Sequence, residues 1–360
     1  MVTPVFALSG VPLAQTRFAR SLARAGHEVD LLIGQVNSGY SLPDISNVNV
    51  NVLGCRRVAF MLPPLVSYLK RNDVDVIFSA EDHLNALVTI AALLAGSKAK
   101  ISGSCRVTPF DTYSNIFFTK RWILKQLSKF VMRRADALTC VSKDMVDQYR
   151  QVFKDPPHTC VYNIVDDGDS RERIVEAVDH PWLLDKTGPV LVAAGRLAPW
   201  KGFADLINAM SILSVAKFPA KLLILGDGPL RSELQALIER RGVGKTVDLV
   251  GYVENPLKYF ARSDVFVLSS LVEGLPNVLV EAMMCGCTPV ATDCPTGPRE
   301  VLQHGKFGYL VPVGDSIAIA KAIEQALASP VEKVLLDEAI RPFEEGVVIK
   351  RHFEILGLNE

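Results

Sequence analysis

Short apolar, β-branched runs alternate with longer helical patterns along the whole chain: Pro4 to Leu8, Glu28 to Ile33, Val74 to Ser79, Lys98 to Ser102 and Ala135 to Val141, then Val190 to Ala194, Lys221 to Leu225, Thr246 to Val250, Val265 to Leu268 and Thr288 to Ala291. Strand and helix in strict alternation demand parallel sheets, because consecutive strands pointing the same way need a crossover. The rhythm stops over the polar stretch Asp166 to Lys186, the expected domain junction. With 360 residues, 49% of them hydrophobic, the chain is long enough for two domains. The expected fold class is α/β: doubly wound parallel sheets in domains 1–165 and 189–335, joined by a linker at 166–188 and facing a cleft at the carboxyl ends of their strands. After Pro330 a helical pattern returns, with Phe343, Val347, Ile349, Phe353 and Leu356 as expected apolar contacts.

No run of 18 uncharged apolar residues appears, and the start lacks a basic segment leading into a long apolar one, so a cytoplasmic protein is expected. Seven cysteines without paired spacing read as reduced thiols, mostly buried. Zero net charge argues against nucleic acid as a partner. The average conceals an asymmetry: residues 1–165 carry 19 Lys and Arg against 12 Asp and Glu, a balance of +7, which leaves −7 for the rest. A basic half suits an anionic surface.

GRLAPWKG, Gly195 to Gly202, follows a strand and precedes a helix, so its amides lie at a helix N-terminus that favours phosphate. Arg196 and Lys201 share the turn, and a guanidinium fork beside an ammonium makes a diphosphate clamp. Taken alone, the loop is equally a solvated turn. SSLVEGLPNVLVEAMMCG, Ser269 to Gly286, has the same setting, with Glu273 at the turn and Glu281 eight residues on, inside the helix. Gly274 admits a close ligand, Leu275 follows it, Pro276 suits a first helical turn and Asn277 suits its cap. Two carboxylates so placed accept hydroxyl hydrogen bonds from two parts of one ligand, such as a sugar and a ribose. The alternative, a capped helix with Glu281 solvated, is weakened by the apolar neighbours Val278, Leu279, Val280, Ala282, Met283 and Met284. DCPTGPRE, Asp293 to Glu300, offers further amides around Thr296 and Gly297. LGDGP, with Gly226, and VGYVEN, with Tyr252 and Val253, end two more strands on the same sheet edge, the second suited to hold a base through its backbone.

In this order and spacing, GRLxxxKG, LGDGP, EGLPNVLVEA, DCPTGPREVL and GYLVP resemble the C-terminal domain of family 4 glycosyltransferases, over Val190 to about Leu327. The resemblance implies two Rossmann-like domains (GT-B), with Arg196 and Lys201 on the donor diphosphate, Glu273 and the amides after it on the transferred sugar, and Glu281 on the ribose hydroxyls. It also implies that the terminal segment 336–360 crosses back to the first domain. The implied reaction moves a hexose or N-acetylhexosamine from a nucleotide diphosphate sugar, most commonly a UDP-sugar, with retained anomeric configuration. A saccharide or lipid-linked acceptor, such as one on polyprenyl diphosphate, is expected.

In the first half, ARSLARAGHEVDLL, Ala19 to Leu32, looks like the first helix and second strand of the same family. The loop before it, SGVPLAQTR from Ser9, lacks the family's Gly-Gly pair and leaves only Gly10 to approach an acceptor or phosphate. AEDHLN and GSCRVTPFD follow two strands, which makes Glu81, Asp82, His83 and Arg106 acceptor candidates, although ordinary loop polarity explains each as readily. His83 has no second His or Cys spaced to share a metal. FFTKRWILKQLSKFVMRR, Phe117 to Arg134, carries Lys120, Arg121, Lys125, Lys129, Arg133 and Arg134 and no acid. At 100° per residue Ile123, Leu124, Leu127, Phe130 and Val131 fall opposite Arg121, Lys125, Lys129 and Arg133. Two readings stand: a helix lying on an anionic membrane at its inner face, or a core-packed helix with a solvated basic face.

No cofactor and no divalent metal are expected, since the acidic DDGD at Asp166 to Asp169 lies in the linker. Rival readings are a sugar-nucleotide epimerase of the same architecture and a catalytically silent nucleotide-sugar-binding scaffold. A dehydrogenase is disfavoured because no GxGxxG sits between a strand and a helix.

Overall fold

The computed structural model describes residues 1–6, 10–37 and 45–358. Contacts divide the chain into two units, Met1–Ile164 with Glu345–Glu360, and Val165–Glu344. The first is built on a parallel sheet of β1 (Val2–Phe6), β2 (Val29–Val36), β3 (Val48–Val52), β4 (Val76–Ala80), β5 (Lys100–Cys105), β6 (Ala137–Cys140) and β7 (Thr159–Cys160), in the order β3-β2-β1-β4-β5-β6-β7. The second holds β8 (Val190–Ala194), β9 (Lys221–Leu225), β10 (Val247–Gly251), β11 (Val265–Leu268), β12 (Thr288–Thr292) and β13 (Tyr309–Val311), in the order β10-β9-β8-β11-β12-β13. Each order reverses beside its first strand, at β1/β4 and at β8/β11, and such a switch point opens a crevice at the strand carboxyl ends.

In the second unit the central strands β8 and β11 are wholly apolar runs because helices cover both faces of the sheet. All five residues of β8 are buried. Leu191, Ala193, Leu222 and Ile224 share one core with Phe203, Leu206, Ile207 and Met210 of the helix Phe203–Val215 and with Ile319 and Ile323 of the helix Ser316–Ala328. The strands absent from the sequence reading are β3, β7 and β13, and all three lie at sheet edges. An edge strand is short and half-covered: β3 (VNVNV) has no fully buried residue, so its apolar content is low.

Residues 166–188, expected as a linker, belong to the second unit and carry the short helices Gly168–Ile174 and Pro181–Leu184. Asp167 caps the first by accepting from Ser170 N at 2.8 Å, and Asn255 donates to Arg173 O at 2.7 Å. Of the other acids of DDGD, Asp166 is paired to Arg171. No group of three or more potential metal ligands occurs among the described residues, and no described helix is long and apolar enough to cross a membrane. All seven cysteines are free thiols, with Cys105, Cys140, Cys287 and Cys294 buried.

The terminal helix Glu345–Leu356 is part of the first unit. Val348, Ile349, Phe353 and Leu356 pack with Phe18, Ala19 and Leu22 of the helix Gly10–Arg24 and with Phe78 of β4, while Ser21 donates to Glu345 Oε2 at 2.9 Å. Val347, expected as a contact, is exposed, and Val348 takes its place. Replacing Phe353, whose ring centroid lies 5.0 Å from that of His27, should show what this helix contributes. Phe353→Ala is expected to lower the unfolding free energy by about 3 kcal/mol in denaturant titration; a change below about 0.5 kcal/mol would mean that the helix does not stabilise the unit.

Candidate functional site

Five loops leave the carboxyl ends of parallel strands in the second unit, and their backbones are in direct contact. Gly195 N donates to Leu225 O at 2.9 Å, Leu197 N to Asp227 O at 3.0 Å and Gly226 N to Gly251 O at 2.7 Å, which joins the loops after β8, β9 and β10. A Cβ on Gly226 would lie 2.0 Å from Gly195 O. The loops after β8 and β11 are joined as closely: Leu271 N donates to Trp200 O at 2.8 Å and Ser269 Oγ to Lys201 O at 2.9 Å. Gly202, at φ 63°, ends the short turn Pro199–Lys201 and starts the next helix. A Cβ there would lie 1.9 Å from Ser269 O, so only glycine allows the two loops to touch.

This seam brings Lys201 to Glu273. Nζ donates to Oε1 at 2.6 Å, and the two side chains are 17% and 11% exposed. Ser270 Oγ donates to the same oxygen at 2.6 Å. The loop after β12 closes over the other side, where Thr296 Oγ1 donates to Glu273 O, and Gly297 approaches so closely that a Cβ would fall 2.5 Å from Pro276 Cδ and 2.8 Å from Gly274 O. Arg196 is exposed and has no hydrogen-bond or ion-pair partner among the described residues. The clamp expected from the sequence is therefore one open guanidinium beside an ammonium already neutralised.

The helix after β11 runs Asn277–Met284, so Pro276 occupies the cap position and Asn277 is the first helical residue, the reverse of the expected roles. The cause is the tight Leu275–Pro276 turn, in which Asn277 N donates to Leu275 O at 2.9 Å. Glu281 is half-buried between Val280 and Ala282, which are buried. Burial, with Glu281 adding to it, pushes the Cys285 thiol up to about 12. Tyr252 is exposed after β10 and Val253 is half-buried beside it.

In the first unit the loop containing Ser9 lies outside the described residues. Gly10 begins its helix with open space where a Cβ would stand, so no close approach among the described residues demands glycine there. Glu81 follows β4 at φ 79°, a conformation rarely seen in side-chain-bearing residues, and its Oε2 lies 3.4 Å from Nε2 of the exposed His83. Asp82 departs from expectation: it is buried, and Oδ2 accepts from Tyr113 at 2.7 Å and Tyr149 at 2.8 Å. It faces the interior because it starts the helix Asp82–Ala95 on its covered side, which withdraws it from the loop surface. Arg106 donates to Asn163 Oδ1, while its Nε has no partner. Burial lowers its pKa to about 10, still protonated at neutral pH. Gln15 Oε1 and His352 Nδ1 are also unpartnered, and all three residues line one small cavity with Ser79, Ser102 and Ser104. Sequence reasoning missed Gln15, Asn163 and His352, since each sits in an ordinary helix or strand end with no motif around it.

The basic helix spans Lys120–Met132, with Thr119 accepting from Trp122 N at its start. It rests on the unit through Ser128 and Met132, whereas Ile123, Leu124, Leu127 and Phe130 are exposed, as are Ile116, Phe117 and Phe118 before it. Core packing of the apolar face, one of the two expected arrangements, is thereby excluded. Arg121 and Arg133 are engaged, with Tyr113 O and Asp155 respectively, and Lys125 donates to Asn115.

Two family models match the chain, one described as Glycosyltransferase Family 4 over residues 9–169 and one as Glycosyl transferases group 1 over residues 175–343. The N-acetylgalactosamine-N,N'-diacetylbacillosaminyl-diphospho-undecaprenol 4-alpha-N-acetylgalactosaminyltransferase of Campylobacter jejuni subsp. jejuni is 29% identical over 315 residues, covering 83% of this chain and 82% of its own. The N-acetyl-alpha-D-glucosaminyl L-malate synthase of Bacillus anthracis is 25% identical over 334 residues, with 89% and 85% covered. Among solved structures, Anabaena HepE in complex with UDP and glucose matches with a TM-score of 0.74 at 18% identity, 99% of each chain covered, a likeness of fold.

The seam at Gly202 is open to test by stability. Gly202→Ala should cost about 2 kcal/mol or more in denaturant unfolding, through both positive φ and the clash with Ser269 O, whereas Gly10→Ala should stay within about 1 kcal/mol of the parent. Equal effects of the two substitutions would refute the close approach.

Proposed function

We propose that this chain, a glycosyltransferase of family 4, transfers a hexose or N-acetylhexosamine from a nucleotide diphosphate sugar to a saccharide or lipid-linked acceptor with retention of anomeric configuration. The observation that carries this reading is the arrangement at the second unit's strand ends: an open Arg196 beside the Lys201–Glu273 pair, ringed by glycine loops. The second unit is the donor domain and the first holds the acceptor.

The donor diphosphate meets Arg196 first, since Lys201 is already paired, and the helix start after Gly202 adds its amides. Lys201 keeps two further N–H donors for a phosphate oxygen while holding Glu273. Glu273 accepts a hydroxyl of the transferred sugar and Glu281 those of the ribose. Tyr252 and Val253 offer backbone to the base, with uridine preferred on the family's general usage. As the glycosidic bond breaks, negative charge grows on the leaving diphosphate, where Arg196 and Lys201 stabilise it more than in the ground state. The acceptor hydroxyl attacks from the same face and passes its proton to that diphosphate. No divalent metal is needed for these steps, because the cations are the protein's own.

On the acceptor side Glu81, His83 and Arg106 remain candidates, and Asp82 is removed from the set by its burial. The C. jejuni relative, whose name specifies a diphospho-undecaprenol acceptor, supports a lipid-linked substrate. A helix that exposes an apolar face and carries an exposed Lys120 with half-buried Lys125 and Lys129 supports docking on an anionic membrane, at its cytoplasmic side.

Two measurements test the reading. Calorimetry without metal across UDP, GDP, ADP and their common sugars should find one preferred diphosphate. Lys201→Ala should reduce kcat/KM by about a hundredfold or more, by loss of transition-state charge stabilisation, and the parent should stay active in EDTA; complete loss under EDTA would sink the metal-free mechanism. For the membrane, Lys125→Glu/Lys129→Glu should weaken flotation with anionic liposomes at least about tenfold, given about 1 kcal/mol per lysine near such a surface. Unchanged binding would remove the membrane from the proposal.

A further inference from the structure

Ser270 is a residue to which the motif reading gave no role. It directly follows β11 and its neighbour Ser269, is fully buried, and has its carbonyl fixed by a hydrogen bond from Thr292 Oγ1 at 2.5 Å. A carboxylate only accepts, so in its contact with Glu273 the Ser270 hydroxyl is the donor. That 2.6 Å bond and the 2.6 Å bond from Lys201 Nζ both end on Oε1. Oε2 receives no hydrogen bond among the described residues. The Glu273 backbone is held as well, by Thr296 Oγ1 on its carbonyl and by the contact of its amide with Pro295 O at 3.4 Å. The carboxylate is thus restrained at the main chain and at one of its two oxygens, and only the other is available.

We infer that Ser270 is a positioning residue for donor recognition: it holds Oε1 of Glu273 from below, so that Oε2 is the oxygen presented to the sugar. This rests on the assignment of Glu273 to the transferred sugar. Without the serine, Lys201 alone directs the carboxylate. A flexible ammonium that also serves the diphosphate is a poor orienter, because its three donors rotate and are drawn toward phosphate when the donor binds. The hydroxyl has no such competing partner. Its effect should therefore fall on the sugar and not on the nucleotide, which separates it from a merely structural serine in the loop.

The experiment compares calorimetric affinities of the full chain for UDP and for whichever binds best of UDP-glucose, UDP-galactose, UDP-N-acetylglucosamine and UDP-N-acetylgalactosamine. The variants are Ser270→Ala, Ser270→Thr and Glu273→Gln. Ser270→Ala is expected to weaken the UDP-sugar by about tenfold, the scale of one hydrogen bond to a charged group, and to leave UDP within about twofold, with Ser270→Thr recovering part of the difference. Loss of UDP and UDP-sugar to the same degree, or no loss of either, would overturn the inference. Glu273→Gln separates the two levels: a selective sugar defect there with none in Ser270→Ala defeats the serine's role alone, whereas an unselective Glu273→Gln defeats the assignment of Glu273 beneath it.

Discussion

The contact between Gly202 and the carbonyl of Ser269 is the constraint on which the rest of the second unit's loop cluster depends. β8 and β11 are neighbours at the point where the strand order reverses, and their loops would diverge there unless something held them together. Two hydrogen bonds and a glycine at positive φ do so, and the distance they set is what lets a lysine on one loop reach a glutamate on the other. A largely buried ion pair is no large source of stability, because desolvation offsets most of its Coulomb energy. Its value is in geometry. With both charges held, each is satisfied while still leaving donor or acceptor capacity for a ligand.

The same logic explains why glycines mark the strand ends. Gly226 against Gly195, Gly228 against Leu197 and Gly297 against Pro276 are all places where a Cβ would collide with backbone or a proline ring. The loops therefore pack as bare backbone, leaving amides and carbonyls directed along the sheet edge instead of side chains filling it. By contrast Gly10, in the first unit, has room for a side chain among the described residues.

Legibility in the sequence followed how much each feature depends on local chemistry. The central strands β8, β9 and β11 were readable to the residue because burial on both faces leaves apolar side chains at every position but Lys221, which opens β9. The edge strands β3 and β7 were not, since β3 alternates with asparagine and β7 is two residues long. At the site, Arg196, Lys201 and Glu273 stood out as charges in glycine-rich turns, while Ser270 did not, because a serine's meaning depends on what it touches three residues later in the folded loop. Asp82 shows the opposite failure. An acid in a strand-end loop looks accessible, yet it is the first residue of a helix and turns inward to two tyrosines that are 31 and 67 positions away in sequence.

The cavity in the first unit illustrates how burial sets the charge that a site presents. Desolvation acts on both cations, but its outcome differs. Arg106 begins so high that it stays protonated at about 10, helped by Glu81, whereas His352 falls to about 3 through burial and then through the positive charge of Arg106 itself. The imidazole also packs against the rings of Phe18 at 4.8 Å and Phe78 at 5.4 Å, surroundings that cannot solvate a second charge. The cavity thus carries a single fixed positive charge, an unpartnered guanidinium N–H, and a neutral ring and amide beside it. A group bearing negative charge or a lone pair is favoured there and a cation is opposed. With a volume of about 20 Å³ the cavity has room for a water and for nothing larger, and a water oxygen there would accept from the Arg106 Nε–H.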